Sequence, residues 1–456
     1  MATPYIEAWN DPCPWWVLGA GLEAVGGLVW LDGESRGWGE VAAGRHSYLA
    51  AGPVEQVVVA AEQHTDPLAA LPLWPSPGAA HCQAAPGGHA PQWVLMLSYD
   101  LQAAYGLPVP RASGAGSALP QAPWLVCQRY DAVLWRDHVL RRSWLVGDDR
   151  QAVRRLRTRL ETARHGPIPS PGRAAASHSA AWQVTSAADF QQAVASAVRD
   201  IHAGALYQVN LSRRWRAPWH GHALTLWRRW RRRSPVPRGL YWDLGQHVLL
   251  GRSMECFLHW DSVHGVLQSA PIKGTIAVPD ESLRLAQGRA LRAHPKEAAE
   301  HTMVVDLMRN ELGQVARTGT VRVIRFAALE AYAGLSHLVS TVRCHTVPKL
   351  PLGALLRATF APGSVTGTPK RSALGTIATL ENVARGPYTG CYGLLSRSGQ
   401  LHLAVTIRTG LVHAGHIDYH AGCGIVADSC PARELAESEL KASHFLQLLR
   451  PRSCCR

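Results

Sequence analysis

Residues 390–407 read GCYGLLSRSGQLHLAVTI, and two runs within them, Gly390 to Leu395 and His402 to Ile407, have the apolar character of strands. Working outward, further strand-like runs occupy Tyr207 to Trp215, Leu240 to Arg252, Phe257 to Leu267, Val321 to Ile324 and Ile417 to Tyr419. Helical patterns fall among them at Pro295 to Arg317, Leu352 to Thr359, Pro369 to Leu380 and Pro431 to Leu449. That order suits an α+β fold, antiparallel β-sheets with surrounding helices, better than a doubly wound parallel sheet.

Toward the N-terminus, Trp15 to Leu18, Gly27 to Trp30, Gln56 to Val59 and Trp93 to Leu97 are short apolar runs bounded by Gly, Pro and Asp, and read as strands. Gly147-Asp148-Asp149 offers an N-cap to an amphipathic helix near Ala152 to Ala163. Thr185-Ser186 starts another, in which Phe190, Val194 and Val198 share one face. Between these helices, residues 166–181 are rich in Pro, Gly, Ala and Ser and read as a linker. The chain thus divides into a mostly-β segment over 1–165, the linker 166–181, and a segment over 182–450 where the unusual residues concentrate.

Of the 456 residues, 47% are hydrophobic and 18% charged, which excludes a disordered chain. The start carries Glu7 and Asp11 among Pro4, Pro12 and Pro14, unlike a signal peptide, and the charge-free run Pro67 to Tyr99 is broken by Pro and Gly. A cytoplasmic protein with no membrane contact is expected. Ten cysteines lie scattered without a CxxC pair, so neither a disulfide framework nor a zinc ribbon is indicated. The net charge of +14 (47 basic minus 33 acidic) invites a nucleic-acid reading. Only five of the basic residues are lysines, and arginine excess is equally a compositional bias. The one stretch resembling a nucleic-acid patch, LTLWRRWRRR over Leu224 to Arg233, reads better as a solvated helix face with Trp227 and Trp230 packed inward. No nucleic-acid partner is expected.

Two helices share a device: Glu297 and Glu300 follow Pro295, and Glu434 and Glu437 follow Pro431, each pair three apart in a helix's first turns. Alone, such a pair is most often a solvated complement to the helix dipole. If the two helices face each other, four carboxylates surround a hard cation of the magnesium kind. Lys273, in PIKGT at Pro271 to Thr275, ends a strand at a glycine in a chain without any earlier lysine; it is either a surface residue or a nucleophile. The glycine-rich PGSVTGTPK from Pro362 and AGCGI from Ala421 can be ordinary turns, or can aim backbone N–H groups at a carboxylate. Arg408 ends a strand where a guanidinium could hold a carboxylate in two parallel hydrogen bonds.

In this order, QVNLS from Gln208, PIKGT, EHTMVVDLMRNELGQVA from Glu300, HLVSTV from His337, PGSVTGTPK, RGPYTGCYG from Arg385, TIRT from Thr406, and GCGIVADS from Gly422 followed by ExxExxxK resemble the chorismate-utilising enzymes of the anthranilate synthase component 1 family. Within it they are most similar to the aminodeoxychorismate type, since PIKGT carries a lysine where anthranilate synthases have a small residue, and Gln208 stands where isochorismate-forming members have a lysine base. The resemblance implies conversion of chorismate plus ammonia to 4-amino-4-deoxychorismate, the precursor of p-aminobenzoate and folate; the alternative is anthranilate synthase component 1. It implies Lys273 as nucleophile, Glu255 as general acid and His337 beside the reacting ring. Ser364, Thr366, Gly367, Tyr388, Arg408, Gly422, Gly424 and Lys441 would surround the substrate. Magnesium (Mg2+) would be held by Glu300 and Glu437, with Glu297 and Glu434 acting through water. Ammonia would come from a separate glutaminase subunit, because Cys391 and Cys423 lack a glutaminase setting. Three positions depart from the family pattern: Glu311 replaces an Asp, Cys423 a glycine that would otherwise leave the carboxylate pocket open, and Ala270 precedes PIKGT in place of arginine.

Overall fold

The two runs of residues 390–407 form adjacent antiparallel strands, Cys391–Ser396 and Gln400–Val405, paired from Cys391↔Val405 to Leu395↔Leu401 and turned at Gly399, whose φ of +80° glycine tolerates. This computed structural model describes residues 3–33, 44–61, 66–74, 89–110, 122–166, 182–277, 284–332 and 335–449. Among them, the hairpin lies inside a ten-stranded sheet in which Cys256–Asp261, Val266–Ala270 and Leu335–His345 extend one side and Pro91–Leu97, Leu125–Arg129 and Glu55–Val59 the other. A second, twelve-stranded sheet includes Val29–Asp32, Arg238–Asp243, His247–Ser253, Thr409–His413, His416–Ile425 and Gln208–Pro218. Every pairing among the described residues is antiparallel. The expected α+β architecture is therefore the one found. Segment 3–166 supplies strands to both sheets, beside strands from residue 182 onward. Of the expected linker 166–181, residues 167–181 lie outside the described residues.

The helices begin where the caps place them. Asp149 accepts the Ala152 N–H at 2.7 Å and opens Arg150–Ala163; Ser186 accepts the Asp189 N–H at 3.3 Å and opens Ala187–His202. Such caps contribute about 1 kcal/mol each. Phe190 and Val194 are buried as their spacing predicts. In the helix Ala223–Arg233, Trp227 and Trp230 are buried, Arg232 and Arg233 are exposed, Arg228 lies over the Trp16 ring at 3.5 Å, and the half-buried Arg231 pairs with Asp32 at 3.0 Å. The stretch is a packed helix whose tryptophans belong to the core.

Four sequence expectations are corrected. Trp15 to Leu18 opens a helix, Trp15–Leu22, which approaches Ala163 so closely that a Cβ on Gly21 would lie 2.5 Å from it; a short apolar run does not distinguish strand from helix. Leu240 to Arg252 is two strands, split at Gly245 (φ +80°), whose N–H bonds the Asp243 carboxylate. Phe257 to Leu267 also splits, at a turn where Asp261 accepts the Val263 and His264 N–H groups. The run from Ala421 is no turn: it is the C-terminal half of the strand His416–Ile425, which pairs with Gln208–Pro218 along its whole length. Opposite residues in that ladder, Arg216 and Asp418, form a buried bidentate pair at 2.6 and 2.5 Å. Removing either partner would leave a buried charge uncompensated, at a cost of roughly 3–5 kcal/mol.

Two features of this topology position the site. The chain crosses from one sheet to the other at Met254-Glu255 and returns at Thr406 to Arg408. The crossings are tied side by side, Arg252 N–H to Arg408 O at 2.9 Å and Val405 N–H to Glu255 O at 3.1 Å.

Candidate active site

Lys273 lies in the strand Ile272–Ala277, opposite Leu338, and the register slips by one residue before Thr275 meets His337. The slip is at Gly274, with φ +69°, where a Cβ would come 3.1 Å from Glu297 Oε2. Glycine suits the left-handed backbone at the bulge, and its lack of a side chain lets Glu297 come close from the helix Pro295–Gly313. On the far side, a Cβ on Gly424 would lie 3.0 Å from Lys273 Nζ and 2.7 Å from Gln208 Nε2, so the missing side chain leaves room beside the amine. Lys273, Gln208 and Gly424 converge from three strands on one space.

Glu255 reaches the same space from the sheet crossing and is buried. Burial pushes its carboxyl up to about 6, against the Ser364 hydroxyl, the Lys273 charge and the Ile272 backbone, all of which favour the carboxylate. Ser364 is held by the short helical turn Gly363–Val365, so its hydroxyl serves Glu255. Its neighbours are occupied by the turn itself. Thr366 donates to Pro362 O at 2.8 Å, and Gly367 bridges Val209, where a Cβ would clash with Gln208 O. His337 and His301 both fall to about 4, by burial first, then by the charge of Arg408 for His337 and of Lys273 for His301. Both are neutral imidazoles near pH 7.

Arg408 sits at φ +50° and donates to Lys441 O at 2.8 Å, while Lys441 Nζ bonds Gly422 O at 2.9 Å and Glu437 at 2.7 Å. These contacts tie the helix Pro431–Leu449 to the strand carrying Gly422 and Gly424. A Cβ on Gly422 would meet Leu211 O at 2.5 Å, so the position is glycine for strand packing. Tyr388 stacks on His420 at 5.1 Å, and the guanidinium of Arg385, which is paired with Glu381, lies 5.9 Å from its ring centroid.

Of the two acidic pairs, one meets this space through Glu297, and the other, on the helix Pro431–Leu449, lies with Cys423. Glu297 stands against Gly274, and Glu300 beside it is buried. Glu434 is buried, with Oε1 accepting from Ser429 at 2.8 Å, and Glu437 faces Lys441. Among the described residues, Glu434, Glu437 and Cys423 place ligand atoms within 4.8 Å of one another, a group that does not include Glu297 or Glu300. The Cys423 thiol, pushed up to about 12 chiefly by burial, stays protonated and donates to Glu434 O at 3.4 Å. The available donors are carboxylate oxygens. Such a set fits a magnesium ion that keeps its waters and takes one or two carboxylates together with an anionic ligand.

Cys423 alternates with the two glycines along the strand and turns into the core, so its side chain leaves the Gly422–Gly424 face open. Glu311 reaches Lys370 at 2.7 Å and the Gly363 backbone, bracing the turn that holds Ser364. His301 was not singled out from the sequence. It follows Glu300 directly in a quoted motif, yet its partner, Ser340 at 2.6 Å, lies 39 residues away and leaves no local pattern. No helix among the described residues is long and apolar enough to cross a membrane.

A family model described as chorismate binding enzyme matches residues 34–447. The chain is 36% identical over 365 residues to anthranilate synthase component 1 of Streptomyces coelicolor, covering 75% of this chain and 70% of that one. It is 33% identical over 377 residues to aminodeoxychorismate synthase component 1 of Klebsiella aerogenes, covering 81% of each. Among solved structures, anthranilate synthase component I from Streptococcus pneumoniae TIGR4 superposes with a TM-score of 0.74 at 25% identity, over 91% of this chain and 94% of that one. The two-sheet architecture, the matched span and these relatives together show that the chain belongs to the chorismate-binding enzyme family.

Proposed function

We propose that this protein is component 1 of an aminodeoxychorismate synthase, converting chorismate and ammonia to 4-amino-4-deoxychorismate and water. The observation that carries the reading is Lys273, whose amine borders the space left by Gly424 with Glu255 beside it. Lys273 adds to C2 of the ring as Glu255 gives its proton to the C4 hydroxyl, which leaves as water. Ammonia then forms the new bond at C4 while the C2–N bond to Lys273 breaks, so the lysine is regenerated. A proton moved from the Lys273 ammonium to Glu255 supplies both the neutral amine and the carboxylic acid that the first step needs. His337, neutral, lies beside the ring, and Arg408 and Lys441 hold carboxylates as fixed charges. Glu300 and Glu437, with Glu297 and Glu434 acting through water, would hold magnesium, which when bound would supply positive charge to neutralise the ring carboxylate.

The amine is supplied by a separate glutaminase subunit. Burial raises the thiols of Cys391 and Cys423, which suits neither to act as a glutaminase nucleophile. The Cys430 thiol is lowered by the N–H groups of Ala432 and Arg433, but among the described residues no histidine bonds it. The Streptomyces coelicolor relative favours a second reading, anthranilate synthase component 1. Lys273→Ala separates the two. The variant should lose formation of 4-amino-4-deoxychorismate from ammonium, and a switch to anthranilate would support the placement of the other groups. Near-normal yield of the amino compound would overturn the covalent route.

A further inference from the structure

A buried acid of the N-terminal segment is tied to the frame of the site. The short helical run Tyr99–Tyr105 follows the strand Pro91–Leu97, and its first two residues close on the connection 381–390, which joins the helix Lys370–Leu380 to the strand Cys391–Ser396. Tyr99 N–H donates to Gly386 O at 2.8 Å, and Gly386 N–H returns a hydrogen bond to Asp100 Oδ2 at 2.8 Å. The Arg385 guanidinium lies over the Tyr99 ring, 4.6 Å from its centroid. Two residues thus clasp Arg385 and Gly386 by three contacts.

What the clasp holds is a hub. All five N–H groups of Arg385 are engaged. Glu381 accepts from Nε at 2.8 Å and from Nη2 at 2.7 Å, Asn210 O from Nη2 at 2.6 Å, and Val365 O and Thr389 Oγ1 from Nη1 at 3.3 and 3.1 Å. Asn210 follows Gln208 by two positions on one strand, and Val365 is next to Ser364, so the guanidinium joins two walls of the space beside Lys273. With those donors engaged, Arg385 has no hydrogen left for Asp100. Asp100 is buried, and its Oδ1 has no hydrogen-bond partner among the described residues.

A carboxyl in that setting keeps its proton, because its charged form would be desolvated without an ion pair. The charged groups facing it are Arg385 and Glu381, of opposite sign and paired with each other, and burial keeps the Tyr99 phenol neutral. Desolvation outweighs the Gly386 and Arg385 contacts and raises Asp100 to about 7. An opened connection would return it to water and to its ordinary value of 3.8, so rising pH above about 7 favours opening.

We propose that Asp100 is a positioning residue for the site: through Gly386 it holds Arg385 and the connection 381–390 closed, and loss of its proton opens them. The inference rests on the reading above only in taking the space beside Lys273 as the place where chorismate binds.

The test compares the full chain with Asp100→Asn, which can still accept the Gly386 N–H and carries no charge at any pH. Hydrogen exchange of residues 385–389 should match in the two proteins at pH 6, and at pH 8.5 should be about tenfold or more faster in the wild type. Asp100→Ala should exchange faster than both at pH 6. In steady-state consumption of chorismate, whichever product forms, the wild-type KM at pH 8.5 should be about threefold or more above that of Asp100→Asn, with kcat alike, because saturating substrate closes the connection again. Equal exchange and equal KM at pH 8.5, or a difference of the same size already at pH 6, overturns the proposal. If Asp100→Asn does not fold, wild-type exchange of residues 385–389 relative to the strand Cys391–Ser396 should rise above about pH 7, and a constant ratio from pH 6 to pH 8.5 overturns it equally. The exchange measurement needs no substrate, so a chain that consumes no chorismate contradicts the proposed reaction without deciding the clasp.

Discussion

Glu255→Gln should abolish turnover and at the same time stabilise the fold at alkaline pH. Burial raises the Glu255 carboxyl from 4.5 to about 6, so folding favours its protonated form. The stability this contributes is complete below the ordinary glutamate value and is lost as pH rises through about 6. The shift is about 1.5 units, and at 1.36 kcal/mol per unit the ionised carboxylate costs about 2 kcal/mol at pH 8, but only about 0.8 kcal/mol at pH 5. A neutral glutamine removes that cost. Its carbonyl can accept the Ile272 N–H, and its amide can donate to Ser364, so the hydrogen-bond change is roughly 1 kcal/mol at most and independent of pH. The quantity to measure is the difference. Urea unfolding of both proteins at pH 5 and pH 8 should show the variant gaining about 1 kcal/mol more, relative to wild type, at the higher pH. An equal effect at both pH values, or a larger gain at pH 5, would refute the assignment of a desolvated acid. Retained turnover in Glu255→Gln would refute its role in protonating the departing hydroxyl.

Three further outcomes follow from the same geometry. Chelation with excess EDTA should stop turnover, and Glu300→Gln or Glu437→Gln should weaken magnesium and chorismate binding together, by tenfold or more; full activity in EDTA would sink the metal site. Cys423→Gly should cost about 1–2 kcal/mol of stability through lost burial and a more flexible strand, with the KM for chorismate unchanged; a large shift in KM would mean that the thiol does face the substrate. The purified chain should use ammonium at alkaline pH but not glutamine until the glutaminase subunit is added, which product formation with each amine source checks. Glutamine-dependent turnover by the single chain would reveal an unrecognised nucleophile.

Much of the frame was legible in the sequence because strand runs, Pro-opened helices and caps are local signals. Asp149 and Ser186 cap the helices they were expected to cap. The errors came where a local signal is ambiguous or was passed over. Trp15 to Leu18 is too short to show a period, and the Asp-to-Gly turns at Gly245 and Gly265 cut two long apolar runs into hairpins. The site was legible as a set of residue types and motifs, but its geometry was not. The Gly422–Gly424 segment looked like a turn and is a strand, because its glycines answer to neighbours far away in sequence, Leu211 on one hand and Gln208 with Lys273 on the other. For the same reason Ser364 meets Glu255 and His301 meets Ser340 across distances that no spacing pattern records.

The most direct test of the proposed reaction is the identity of the product formed by the purified wild-type chain from chorismate, magnesium and ammonium, determined by mass spectrometry. A lysine that adds at C2 and is displaced by amination at C4 leaves the enolpyruvyl side chain in place. The product should therefore be 4-amino-4-deoxychorismate, without release of pyruvate. Anthranilate with stoichiometric pyruvate would contradict the role given to Lys273.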